Sequence, residues 1–149
     1  MKAVIQRVQQ ATVTINEQPL STISSGLLIL IGGTHSDNKR DVIKLADKII
    51  KLRIFNDHHK KMNLSVQDID GEIMIVSQFT LYGNCVKGNR PSFKNSSSSE
   101  HAKKIYYEFV NYIKEKINKV QTGQFGADMQ ISLINDGPVT FILDTNESK

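Results

Sequence analysis

Apolar residues recur along this chain with two different periods. Over residues 3–15, Ala11, Val13 and Ile15 alternate with Thr12 and Thr14, which predicts one or two strands. Asn16-Glu17-Gln18-Pro19 reads as a turn, with a short returning strand over residues 20–23. Leu27-Leu28-Ile29-Leu30-Ile31 is a continuous apolar run closed by Gly32-Gly33, as suits a strand covered on both faces. The period then lengthens. Val42, Leu45, Ala46, Ile49 and Ile50 fall on one stripe of a helix capped by Asp37 or Asn38 and ending near Leu52. A strong strand over residues 72–80 follows the Asp70-Gly71 turn, and residues 81–92 form a long loop. The serine run at residues 96–99 reads as a helix start, because Ser97 with Glu100 fits a capping box. Ala102, Ile105, Tyr106, Phe109, Ile113 and Ile117 then line one side of that helix.

Two further apolar runs close the chain, residues 129–134 and 139–143, separated by Asn135-Asp136-Gly137-Pro138. Asp-Gly between two such runs is a strong hairpin signal. Pro138 contradicts it, since the residue after the glycine closes such a turn with an N–H that proline lacks. Either the hairpin is looser, or the Gly-Pro backbone serves another purpose. The element order predicts an α+β (mixed α/β) fold: a single domain over residues 1–149, with a curved, largely antiparallel sheet and two main helices packed on it. Residues 145–149 are expected to fray.

Composition narrows the class. At 149 residues and 39% hydrophobic, the chain can bury a substantial core. A net charge of +4 and a pI of about 9.2 permit a polyanionic partner without requiring one. A lone Cys85 leaves no internal disulfide and favours a reducing compartment. Gln6 and Arg7 interrupt the first apolar run, unlike a signal peptide, and no run is long enough to span a membrane. A cytoplasmic protein without a membrane partner is expected.

Candidate chemistry is sparse. His35, His58, His59 and His101 show no ligand spacing, so no metal and no cofactor are expected. Cys85 lies near Lys87 and Arg90 but has no histidine near it in sequence. Lys87-Gly88-Asn89-Arg90 is either a solvated turn or a phosphate contact. Ser77-Gln78-Phe79-Thr80 places polar side chains at the end of an apolar strand, where a rigid sheet can position a site. Ser77 or Thr80 as a nucleophile would need a base, and no neighbouring His or Lys supplies one.

Three stretches together carry a resemblance. They are Ser77-Gln78-Phe79-Thr80, the loop from Lys87-Gly88-Asn89-Arg90 into Pro91-Ser92-Phe93, and Asn135-Asp136-Gly137-Pro138-Val139-Thr140. With Ala3-Val4-Ile5-Gln6-Arg7-Val8 and Thr122-Gly123-Gln124-Phe125-Gly126-Ala127-Asp128-Met129, the chain closely resembles the D-aminoacyl-tRNA deacylases over nearly its full length. The resemblance implies hydrolysis of the ester between a D-amino acid and the ribose at the tRNA 3′ end, with no DNA partner. It implies a homodimer in which each Gly-Pro pair enters the partner's active site. It also implies a cis Gly137-Pro138 bond, with Gly137, Pro138 and Val139 forming a chiral filter that excludes L-amino acids.

For catalysis the resemblance favours backbone N–H groups around Gln78, Phe79 and Thr80 as an oxyanion hole, helped by the ribose 2′-hydroxyl. A Thr80 nucleophile is the rival, and a nucleic-acid-binding module without turnover is the alternative from another class. Phe125 and Met129 become a seat for the terminal adenine, against a simple core role. Arg7, a lone charge on an apolar strand, gains partners in the carbonyls near Gly137-Pro138. Lys87 and Arg90 become candidates for tRNA phosphate contacts.

Overall fold

The alternation of the first strand breaks at Gln9 and Gln10, both exposed, and the layering of the sheet follows from that break. The computed structural model describes residues 1–146. Strand β1 (Lys2–Ile15) buries Ala3 and Ile5, then both Arg7 and Val8 in succession, then Ala11 and Val13. Its register against the last strand shifts on each side of Val8. A one-residue slip in a period-two strand sends the following side chains to the opposite face. Ala3 and Ile5 join one apolar core; Val8 faces the other by plain alternation, and the slip after it brings Ala11 and Val13 to that same side.

Strand β2 (Gln18–Ile23) returns from β1 through Asn16 and Glu17, both at positive φ (48° and 63°), the geometry of a tight hairpin. Strand β3 (Gly26–Gly32) pairs antiparallel with the first half of β1. Helix α1 (Lys39–Ile50) and a small ribbon, β4 (Phe55–Asn56) with β5 (Met62–Leu64), lead to β6 (Glu72–Ser77), which lies parallel to β3. A 3-10 turn (Phe79–Tyr82) and helix α2 (Ser99–Lys114) lead to β7 (Val120–Thr122), parallel to β6. Strand β8 (Gln130–Asp144) then runs antiparallel along almost all of β1.

Successive residues of β3 and β6 feed the two cores. Leu27, Ile29, Ile73 and Ile75 pack under α1 and α2 against Leu45, Ile49, Phe109 and Ile113. Leu28, Met74 and Val76 pack on the concave face with Val8, Val13 and Ile23. The Ser21 hydroxyl donates to the Thr122 carbonyl at 2.9 Å, which joins β2 to β7 and curls the sheet toward closure. The fold is the expected mixed α+β arrangement of a curved sheet and two helices. No helix among the described residues is long and apolar enough to cross a membrane.

Three local expectations are corrected. The chain does not reverse at Asp136-Gly137: residues on both sides pair with β1 as parts of one strand, and residues 136–139 bulge from it. Helix α2 is capped by Ser98, whose hydroxyl accepts from His101 N–H at 3.4 Å, not by Ser97. Ser97 donates its own N–H to the Gly33 carbonyl at 3.1 Å, which ties it to the end of β3 and delays the helix by one residue. Thr145, placed by the sequence in a fraying tail, is buried, and its N–H donates to the Met1 carbonyl at 2.9 Å. The remainder of that tail, residues 147–149, lies outside the described residues.

The cap assignment is testable. Ser98→Ala is expected to cost about 1 kcal/mol, the usual loss for an N-cap. Ser97→Ala is expected to be neutral or stabilising, because the buried Ser97 hydroxyl has no hydrogen-bond partner among the described residues. Urea denaturation of the two variants checks the assignment, and the reverse order of stability contradicts it.

Candidate active site

The carboxyl ends of the parallel strands β3, β6 and β7 meet at a cavity of about 550 Å³. Such ends are where open α/β sheets build their sites, since a rigid ladder stops there and loops diverge. Gly32 and Gly33 from β3, Ser77 to Phe79 from β6, and Ala102 and Tyr106 from α2 line it. Gln78 donates its N–H to the Ile31 carbonyl at 2.7 Å, which carries the sheet pairing one residue past Ser77. That bond uses the Gln78 N–H, so this group is not free to hold an oxyanion. The 3-10 turn begins at the next residue, and neither Phe79 nor Thr80 has an acceptor for its N–H among the described residues. Free N–H groups are what the first turn of such a helix leaves over.

The side chains offer little proton chemistry. The Gln78 amide donates to the Thr80 hydroxyl oxygen at 2.6 Å. No imidazole, carboxylate or amine hydrogen-bonds either the Ser77 or the Thr80 hydroxyl among the described residues. Tyr106 reaches the cavity, but its hydroxyl donates to the Ile75 carbonyl at 3.0 Å, and burial pushes its pKa well above the usual phenol value. It keeps its proton. The Met1 ammonium is held by Asp37 at 2.7 Å and by the Thr145 hydroxyl at 2.6 Å.

The second motif stands elsewhere. Gly137-Pro138 is a cis peptide, with Gly137 at φ +140°, a value that favours glycine. A Cβ on Gly137 would lie 2.6 Å from Val139 Cγ2 and 3.1 Å from Arg7 Nη2. The bulge is locked from two sides. Asn135 accepts from the Val139 N–H at 2.6 Å and donates to the Thr140 hydroxyl at 3.0 Å. Arg7, only 5% exposed, donates through Nε to the Asp136 carbonyl at 2.9 Å and through Nη1 to the Ile54 carbonyl at 2.7 Å. The Asp136 carboxylate adds an ion pair at 3.3 Å. Gly137 and Pro138 themselves are exposed.

This chain's own cavity does not include the Gly-Pro corner. Ser77 is level with Ala3 in the sheet, and the corner is level with Arg7. Four residues of strand amount to about 13 Å, and the three strand spacings from β8 to β6 add about 14 Å across the sheet.

Comparison with known proteins identifies the family. Residues 4–144 match the family model described as D-Tyr-tRNA(Tyr) deacylase. The chain belongs to that family. It is 56% identical over 147 residues to the D-aminoacyl-tRNA deacylase of Thermosipho africanus and 52% identical over 148 residues to that of Clostridioides difficile, each alignment covering 99% of both chains. A solved structure titled c-Myc DNA Unwinding Element Binding Protein superposes with a TM-score of 0.92 at 39% identity, covering 97% of this chain and 99% of that one. Another, titled as a probable eukaryotic D-amino acid tRNA deacylase, shares the fold with a TM-score of 0.82 at 16% identity, covering 95% and 97%. Members of the family are hydrolases of aminoacyl-tRNA esters and serve translation quality control.

The remaining candidates of this deacylase-family chain fall into two groups. Phe125 and Met129 both line the cavity, Phe125 with its ring 5.6 Å from that of Tyr106. Lys87 and Arg90 stand on an exposed loop closed by the Asn84–Ser92 bridge, outside the cavity. Sequence reasoning missed Gly32, Gly33, Ala102 and Tyr106 as lining residues. The signal available was the crossover order of strand, helix and strand, which brings the ends of parallel strands together.

Arg7→Met is expected to lower stability by about 2–4 kcal/mol, since the Asp136 and Ile54 carbonyls lose their donor in a buried place. Arg7→Lys is expected to recover less than half of that loss, because one ammonium cannot span both carbonyls. Chemical denaturation reads both, and a fully stable Arg7→Met protein contradicts the wiring.

Proposed function

We propose that this chain hydrolyses the ester joining a D-amino acid to the ribose at the tRNA 3′ end, releasing the free D-amino acid and the tRNA. The observation that carries the reading is the pair of N–H groups on Phe79, which lines the cavity, and on the adjacent Thr80, both left without acceptors among the described residues, where no carboxylate, imidazole or amine hydrogen-bonds the Ser77 or Thr80 hydroxyl. Water attacks the ester carbonyl carbon, and the developing oxyanion takes those two N–H groups. One such donor is typically worth about 3–4 kcal/mol. The intermediate then breaks its bond to the ribose 3′-oxygen, which leaves with a proton. The neighbouring 2′-hydroxyl orients the water. Phe125 and Met129 seat the terminal adenine, and Lys87 and Arg90 meet phosphates of the incoming strand.

Chirality is read by main chain. The Gly137-Pro138-Val139 corner projects from a sheet whose own cavity it does not reach, so it acts in the cavity of a second copy within a homodimer. With the substrate ammonium and ester held in fixed places, a D side chain points to open space and an L side chain points into the corner. Arg7 and Asn135 keep that wall from yielding, so the L form is excluded by clash. The substrate places the reaction in the cytoplasm.

One observation favours a second reading. The solved relative at 39% identity is titled as a DNA-binding protein, which suits a nucleic-acid-binding module without turnover. Incubation with D-Tyr-tRNA, L-Tyr-tRNA and Gly-tRNA separates the two. The deacylase reading expects cleavage of the D-ester, protection of the L-ester, and measurable cleavage of Gly-tRNA, which has no Cβ to strike the corner. Binding without cleavage of any of them contradicts it, and full protection of Gly-tRNA at enzyme levels that clear D-Tyr-tRNA contradicts the steric filter.

Thr80→Ala keeps the backbone N–H and removes the hydroxyl. Single-turnover cleavage is expected to stay near normal, well short of the roughly 10²–10⁴-fold loss that follows removal of a side-chain acid–base group. Loss to background makes the Thr80 side chain the nucleophile. Replacing the terminal 2′-hydroxyl by hydrogen is expected to slow the wild-type enzyme strongly, and an unchanged rate removes the RNA from the mechanism.

A further inference from the structure

Two aromatic rings stand in water beside the cavity mouth. Phe79, which lines the cavity, is 56% exposed, and Phe93 is 40% exposed. Their centroids lie 5.1 Å apart at 62°, an edge-to-face pair. Neither ring belongs to the two apolar cores. Exposed apolar pairs held in fixed geometry are commonly binding surfaces.

Phe93 is pinned where it is. The Asn84 and Ser92 backbones exchange hydrogen bonds of 2.8 and 2.9 Å just before it. Just after it, the Lys94 carbonyl bonds the His35 ring at 3.1 Å and the Asn95 carbonyl accepts from the Thr34 hydroxyl at 2.6 Å. Gly83 makes the contact possible: a Cβ there would lie 3.1 Å from Phe93 Cε1 and 2.9 Å from the Thr80 carbonyl. The same segment is basic. Lys87, Arg90 and Lys94 fall within residues 83–99, which contain no aspartate or glutamate.

We infer that Phe79 and Phe93 form a stacking platform for the nucleobase immediately 5′ of the terminal adenosine, with Lys87 and Arg90 meeting the adjoining phosphate. The inference rests on the reading that the cavity takes an aminoacyl-adenosine. A single strand leaving that cavity crosses its rim with one unpaired base to place. Aromatic faces accept any base, and cations beside them neutralise the backbone. Charge argues against a second copy as occupant, since two such loops would set like charges together.

The test compares wild type with Phe93→Ala on D-Tyr-tRNA, on the same tRNA with an abasic nucleotide before the terminal adenosine, and on D-tyrosyl-adenosine. Phe93→Ala is expected to raise KM for D-Tyr-tRNA about tenfold with little change in kcat, the scale of one lost base–aromatic stack. Wild type is expected to show the same rise on the abasic tRNA, where the variant loses nothing further. Both cleave D-tyrosyl-adenosine equally, and Phe93→Trp restores the tRNA KM. An equal loss on D-tyrosyl-adenosine overturns the platform in favour of a prop for the cavity. No loss on any substrate overturns it outright, and a loss that tracks dissociation of the dimer in sedimentation makes the pair an interface between copies. Failure of wild type on all three substrates sinks the deacylase reading instead. Filter binding of uncharged tRNA then decides the platform, which requires weaker retention by Phe93→Ala.

Discussion

The guanidinium of Arg7 is the constraint on which the arrangement depends. It is buried, so its donors require acceptors, and it finds them on main chain: the carbonyls of Asp136 and Ile54. Three separate parts of the chain are thereby fixed against one another, namely the middle of β1, the entry to β4 and the bulge of β8. A buried cation without these partners would cost several kcal/mol. The corner at Gly137-Pro138 is therefore held by its neighbours and presented outward.

The cavity follows a similar economy. Its polar wall is assembled where β3, β6 and β7 stop in parallel. The Ile31 carbonyl takes the Gln78 N–H, and the 3-10 turn then leaves Phe79 and Thr80 with donors to spare. The Gln78 amide fixes the Thr80 hydroxyl as an acceptor rather than activating it. In the proposed mechanism an activated ester needs modest help to hydrolyse, and two backbone donors with a neighbouring RNA hydroxyl would supply it.

Much of this was legible in the residues. The stripes of α1 and α2, the doubly buried run of β3 and the polar end of β6 all appear in the pattern of apolar positions. The Asp-Gly signal misled because turn chemistry is local, while the pairing of residues on both sides of it with β1 is not. Pro138 was the residue that marked the exception. Gln78 looked equivalent to Phe79 and Thr80 as a backbone donor, and only the register of β3 against β6 shows its N–H to be spent. Ala102 and Tyr106 read as ordinary core positions of a helix, and Tyr106 is one. Their place at the cavity comes from how α2 crosses the strand ends, a long-range fact that no local pattern carries.

The central claim is that a corner of one chain completes the cavity of another. Complementation between two defective chains tests it most directly. Ala102→Trp fills the cavity and leaves the corner intact, whereas Gly137→Val distorts the corner and leaves the cavity open. The Ala102→Trp homodimer is expected to cleave neither ester, and the Gly137→Val homodimer to cleave L-Tyr-tRNA as well as D-Tyr-tRNA. After subunit exchange in an equal mixture, half of the open cavities face an intact corner, and L-Tyr-tRNA cleavage per open cavity is expected to fall by about half while D-Tyr-tRNA cleavage holds. A mixture that forms mixed dimers yet cleaves the L-ester as before contradicts the account.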